Sequence, residues 1–222
     1  MTDRPRRRSV LSIVLGAAVL AVGVGGLWYW NRPPQGIEVP QSACWSAFTQ
    51  EDLTALTDNG YKTIASEDKP VGDADYLSAP SCVVVERKLD DTSDRGHRLA
   101  SIRVFWQDEA FHQAKTKAEA GGWESIRPAP LDVGPDVQGW LFHEGTVQLM
   151  LRCDLPTDKD RDLVSPYREI TITGDRAASG TPVTKVHQIR IDAALRTAKE
   201  LVRAQGCTNK PQLAERPPAA PF

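Results

Sequence analysis

The chain has 222 residues, 41% of them hydrophobic, with 27 basic and 29 acidic side chains and a net charge of −2, enough for one ordinary domain with a real core. Four of the basic residues and one of the acidic ones fall in the first thirty positions, leaving 23 and 28 beyond them, a net charge of −5. That balance, with the charges interspersed, excludes nucleic acid and an anionic lipid surface as the main partner.

Arg4, Arg6, Arg7 and Arg8 stand in a basic segment at 1–9, and Val10–Trp30 follows as 21 residues without a charge. At about 1.5 Å per residue, such a helix crosses a hydrocarbon core of roughly 30 Å. The arginines predict a cytoplasmic N-terminus, and Trp28, Tyr29 and Trp30 suit the outer interface belt. A cleaved signal peptide is the alternative, but its apolar region is usually shorter and a small-x-small site should follow it. Gly16, Gly23, Gly25 and Gly26 form no GxxxG pair, so no helix pairing in the membrane is expected. Cys44, behind Gln41, Ser42 and Ala43 and well beyond the apolar run, is a poor lipidation site. The expectation is a single-pass protein with everything from Asn31 onward outside the cell membrane.

Pro33, Pro34 and Pro40 make 31–43 an extended stalk. Thr49, with Asp52 three residues later, predicts a capped helix over Gln50–Asp58 that buries Leu53 and Leu56 and exits at Gly60. Tyr61–Ala65 reads as a strand, and a polar loop with Pro70, Gly72 and Pro80 follows. Cys82–Leu89 and His97–Trp106 are a strand pair across a turn-rich loop marked by Asp90, Asp91, Asp94 and Gly96. Asp108 predicts a helix over Glu109–Ala120, ended by Gly121 and Gly122, with a short strand candidate at Trp123–Ile126. Val137–His143 and Thr146–Cys153 form a hairpin on Glu144-Gly145, and Tyr167–Thr173 continues the pattern beyond a charged loop. The longest helix is expected over Pro182–Gln205, with Thr181 as its cap and Gly206 as its stop. Four prolines and little apolar mass predict a disordered tail over 208–222. Short strand-to-strand links point to an α+β domain at 44–207, an antiparallel sheet with helices packed on one face, plus the N-terminal transmembrane helix.

Cys44, Cys82, Cys153 and Cys207 all lie beyond the apolar run. An even count in an oxidising compartment favours two disulfides. Of three connectivities, Cys44–Cys82 and Cys153–Cys207 are expected, because each ties a helix-bearing segment to a nearby strand.

The run Cys44-Trp-Ser-Ala-Phe-Thr-Gln-Glu-Asp-Leu53, the strand cysteine Cys82, and Ala-Lys-Glu-Leu-Val-Arg-Ala-Gln-Gly-Cys207 closing a terminal helix resemble the small extracytoplasmic proteins of actinobacteria, a domain of unknown function. Many of those are lipoproteins, and the missing lipidation cysteine departs from them. The resemblance implies a disulfide-held envelope domain with no established activity, cofactor or catalytic residue.

Motifs for chemistry are sparse. The histidines His97, His112, His143 and His187 are isolated, and no GxSxG nucleophile motif accompanies the Asp108–His112 pair. No CxxC or HxxxH spacing suggests zinc. The loop with Asp90, Asp91 and Asp94 lacks the remaining ligands of a calcium loop. Gly174–Thr181 lacks the lysine and glycine spacing of a phosphate loop. Neither a cofactor nor a metal is expected. Trp106, Trp123 and Trp140 fall near strand ends and are candidates for stacking a glycan or anchoring a protein partner. The reading favoured is a non-enzymatic, membrane-anchored domain that binds a protein or cell-envelope partner. The alternative is a carrier or sensor of a small apolar or lipid-like ligand between sheet and helix.

Overall fold

Seven antiparallel strands form the body of the protein, and the alternation of their side chains decides what lies on each side. The computed structural model describes residues 36–73, 79–90, 95–109, 111–113, 128–155, 166–175 and 177–222. Two short strands, β1 (Ser42–Ala43) and β2 (Phe48–Thr49), precede helix α1 (Gln50–Leu56). Strands β3 (Tyr61–Glu67), β4 (Ser81–Lys88), β5 (His97–Gln107), β6 (Ala129–Leu131), β7 (Val137–Leu141), β8 (Val147–Arg152) and β9 (Tyr167–Thr173) follow, and helix α2 (Val183–Gln205) comes last. The strands lie in the order β3-β4-β5-β9-β8-β7-β6. Two meanders therefore meet where β5 pairs with β9, Ser101 opposite Thr173 through Gln107 opposite Tyr167.

One face is apolar. Ile102, Ile172 and Val147 share a cross-strand row on it, as do Val104, Ile170 and Leu149, and all six are buried. Helix α2 packs against this face over β8 and β9, laying Ala193, Ala194 and Ala198 flush in the core. A β-bulge pairs Val84 with Ala100 and Val85 with Arg98. The extra residue, Leu99, joins Ala100 in the core, and Arg98 is thereby turned to the other side.

The capping box at Thr49 forms as expected: Asp52 N–H donates to Thr49 Oγ1, and Thr49 N–H donates to Asp52 Oδ2. Helix α1 ends two residues sooner than expected, because Thr57 turns extended and its hydroxyl donates back to Leu53 O at 2.7 Å. Both expected disulfides are present, Cys44–Cys82 and Cys153–Cys207. The first is joined by a left-handed turn at Cys44, Trp45 and Ser46, with φ of 55, 56 and 65°. That turn is held by the indole of Trp45, which donates to Lys69 O at 3.0 Å.

Several expectations are corrected. The helices do not share one face: residues 109 and 111–113 are helical and lie on the side away from α2, where the His112 ring stacks on Tyr167 at 3.9 Å. The later part of the expected stalk is folded onto the domain. Thr63 N–H donates to Glu38 O at 2.8 Å, and Ser42–Ala43 is strand β1. Pro182, not Thr181, precedes α2, without a side-chain cap, and Thr181 Oγ1 instead donates to Ala55 O.

The tail is the largest difference. Instead of being disordered, 208–222 straps the domain. Ala214 N–H donates to Val133 O, Gln212 N–H to Asp136 Oδ2 and Ala220 N–H to Gln188 Oε1. Leu213, Ala220 and Phe222 pack against the core, and Phe222 stacks on His143 at 5.0 Å. Few apolar residues suffice because the strap uses its backbone groups and fills a prepared gap at Gly134 (φ 121°), where a Cβ would meet Gln212 O at 2.5 Å.

Ile37–Phe222 form one compact unit. Among the described residues no helix is long and apolar enough to cross a membrane. The expected span at 10–30, the strand candidate Trp123–Ile126 and most of the helix expected over Glu109–Ala120 lie outside the described residues.

Candidate functional site

The sheet face away from α2 carries the site. Register places Arg103, Thr171, Gln148, Trp140 and Pro130 in one row across β5, β9, β8, β7 and β6, and Phe105, Glu169, Met150 and Gln138 in the next. Between β5, β9 and β8 this face forms an open trough of about 320 Å³, lined by Arg98, Ser101, Arg103, Phe105, Gln148, Glu169, Thr171 and Thr173. The lining is polar because these residues alternate with the core residues Ala100, Ile102, Val104, Leu149, Ile170 and Ile172 along the same strands.

Charge in the trough is unevenly committed. Arg98 donates through Nε and Nη2 to the two oxygens of Asp175, at 3.0 and 2.8 Å, and this hydrogen bonding and charge hold its pKa above the ordinary arginine value. Glu169, 5% exposed, accepts from Gln107 Nε2 at 2.8 Å and from Thr171 Oγ1 at 3.2 Å. Arg103 is exposed and has no ion pair or hydrogen bond among the described residues. The amide oxygen of Gln148 is buried without a hydrogen-bond partner among the described residues. The trough thus combines one uncommitted cation, one unsatisfied acceptor, three hydroxyls and one aromatic ring.

A second group of polar side chains lies at the end of the same face. Burial lowers the pKa of His112, partly countered by the charge of Glu109. Burial also raises the pKa of Tyr167, aided by its hydrogen bond with Glu109. The His112 Nδ1 atom faces Met150 Sδ at 2.6 Å. Among the described residues these groups pack against one another in a corner under the helical turn. Among the described residues no cluster of His, Cys, Asp or Glu has the geometry to hold a metal ion.

The tryptophans expected to form a platform are separated. Trp106 lies on the α2 face, where the Arg168 guanidinium caps its ring at 3.4 Å and in turn donates to Gln205 Oε1 at 2.9 Å. Trp140 lies on the opposite face, half-buried and beside Gln148. The two therefore do not share a pocket, and Trp123 lies outside the described residues. Cys44, Cys82, Cys153 and Cys207 are all buried and serve as crosslinks. The trough residues were not singled out from the sequence. The signal was there in the alternation of Arg103 and Phe105 with Ile102 and Val104, but only the β5–β9 register brings them beside Thr171 and Gln148.

No protein-family model, characterised protein or solved structure matches the chain. What the site does is therefore read from its own chemistry.

Proposed function

We propose that the chain is a membrane-tethered, extracytoplasmic binding domain without catalytic activity, and that it engages a protein or cell-envelope partner through the sheet face opposite α2. The observation that carries this reading is the open trough over β5, β9 and β8, with Arg103 at its side exposed and unpaired among the described residues. Uncommitted hydrogen-bonding groups on a rigid sheet suit recognition, because their positions are fixed before the partner arrives. The two disulfides agree with an oxidising compartment. A carrier of an apolar or lipid-like ligand is less well supported, since Phe105 is the only large apolar side chain lining the trough.

The test is photo-crosslinking in intact cells with the probe placed at Thr173 in the trough, and at Glu215 on the strap as the control. A discrete adduct from Thr173 and none from Glu215 is the expected result. Recovery of only bulk membrane neighbours from both positions overturns the reading.

A further inference from the structure

We infer that the trough takes an acidic sugar of the uronate type, with its carboxylate on Arg103 and its ring hydroxyls on Gln148 and Thr171. This deepens the binding-domain reading and rests on it. Three observations converge. First, Arg103 is the cation of the trough left uncommitted among the described residues, whereas Arg98 is occupied by Asp175. A guanidinium offers a planar fork that matches a carboxylate. Second, the buried amide oxygen of Gln148 lacks a donor among the described residues. A ligand rich in hydroxyls supplies one once the amide turns toward the trough, whereas a lone carboxylate at neutral pH has none to give. Third, Thr171 gives its proton to Glu169, so its oxygen is left to accept from a ligand hydroxyl.

The spacing fits one ring. Gln148, Thr171 and Arg103 stand in one row on three adjacent strands, and two strand spacings of about 4.8 Å span roughly 10 Å between the outer Cα atoms. The long, exposed Arg103 side chain can lean across that gap, which puts one sugar ring within reach of all three residues. Phe105, two residues from Arg103 on the same face, offers an apolar surface for the ring's C–H groups. Glu169 also faces the trough, but it is held by Gln107 and Thr171, so the anion belongs on the Arg103 side. Lys62 and Arg87, paired across β3 and β4, stand on this same face without ion pairs among the described residues. They extend a positive margin along which further acidic units could lie.

The experiment is titration calorimetry on the full chain in a neutral detergent, with tetragalacturonate as the probe, maltotetraose as the neutral sugar and tetraglutamate as the acidic peptide. Tetragalacturonate should bind, and its affinity should fall as salt is added. Maltotetraose and tetraglutamate should each bind at least about tenfold more weakly. Arg103→Met should weaken tetragalacturonate about tenfold or more, and Gln148→Leu by several-fold, with unfolding midpoints unchanged for the exposed Arg103. Arg103→Lys should recover only part of the loss, because it keeps the charge without the fork. Equal binding of tetraglutamate overturns the inference in favour of an acidic peptide. Absence of tetragalacturonate binding, or binding that survives Arg103→Met, also overturns it. If the Thr173 crosslink in cells still forms in any of these cases, only the ligand class falls; if it is lost too, the binding-domain reading falls with it.

Discussion

Arg190 shows how a single buried cation can lock two distant turns together. From α2 it donates to Gly145 O in the β7–β8 turn and to Gly174 O at the end of β9, both at 2.9 Å. Burial lowers its pKa, with Asp175 pulling the other way, so its charge is held in place by those carbonyls. Both glycines have a reason to be glycine. Gly145 has φ of +83°, and a Cβ there would meet Arg190 Nη1 at 2.5 Å. At Gly174 a Cβ would meet Leu99 O at 2.2 Å and Arg190 Nη2 at 2.6 Å. The first of those neighbours is backbone on the bulge of β5, which no rotamer change can move. Gly174→Ala should therefore lower stability by about 3 kcal/mol or more, through strain and displacement of the Arg190 bond. Urea unfolding measures it, and a loss below about 1 kcal/mol would mean that the bulge gives way freely. Nothing in the sequence around Gly174 announces this role, because the clashing oxygen belongs to a strand far away along the chain.

At the scale of elements, α2 and the strap explain each other. Along α2, Val186, Ile189, Ile191, Ala193, Ala194, Leu195, Ala198 and Leu201 are all buried, more than one apolar stripe facing a sheet requires. The sheet covers one side, and 208–222 covers part of another: Gln188 Nε2 donates to Pro218 O, and Lys199 Nζ donates to Glu215 O. That wide apolar face was the legible sign that something besides the sheet packs on the helix. Read alone, the proline-rich tail looked too poor in apolar residues to order. A chain ending at Lys210 should lose about 2–4 kcal/mol, from the packing of Leu213, Ala220 and Phe222 and the strap's hydrogen bonds. Its amides in the first half of α2 should exchange faster with solvent. Unchanged exchange would show that the strap lies on the helix without supporting it. Strands, by contrast, were legible within a residue or two wherever apolar and polar positions alternated, as in Tyr167–Thr173. Within that strand the residue type misleads about the side it faces. Arg168 sits fully buried on the core face between Trp106 and Leu151, an arginine in a position that alternation assigns to an apolar residue.

For the whole molecule, alternation reveals a strand's faces but not its partner. Hairpin neighbours follow from short connections, so β4–β5 and β7–β8 were readable. The joint between β5 and β9 was not, and the trough exists only because of it. The charge on the open face was hidden for the same reason: Lys62, Arg87, Arg98 and Arg103 are dispersed in a chain that is net acidic beyond its first thirty residues, and pairing gathers them. The disulfides, at sequence separations of 38 and 54, tie the first segment to β4 and the end of β8 to the end of α2, and Ile37–Phe222 form a compact unit with its own core. Such a unit should fold without the residues that precede it. A chain beginning at Gly36 should keep the unfolding midpoint of the full chain to within about 1 °C when oxidised, and reduction should lower it by several degrees in both. The apolar run Val10–Trp30 should make the difference in partitioning. The full chain should sediment with membranes through an alkaline carbonate wash, and the shortened one should stay in the supernatant. Sedimentation of both would move the attachment from Val10–Trp30 to the folded unit, and release of the full chain by carbonate would remove the anchor altogether.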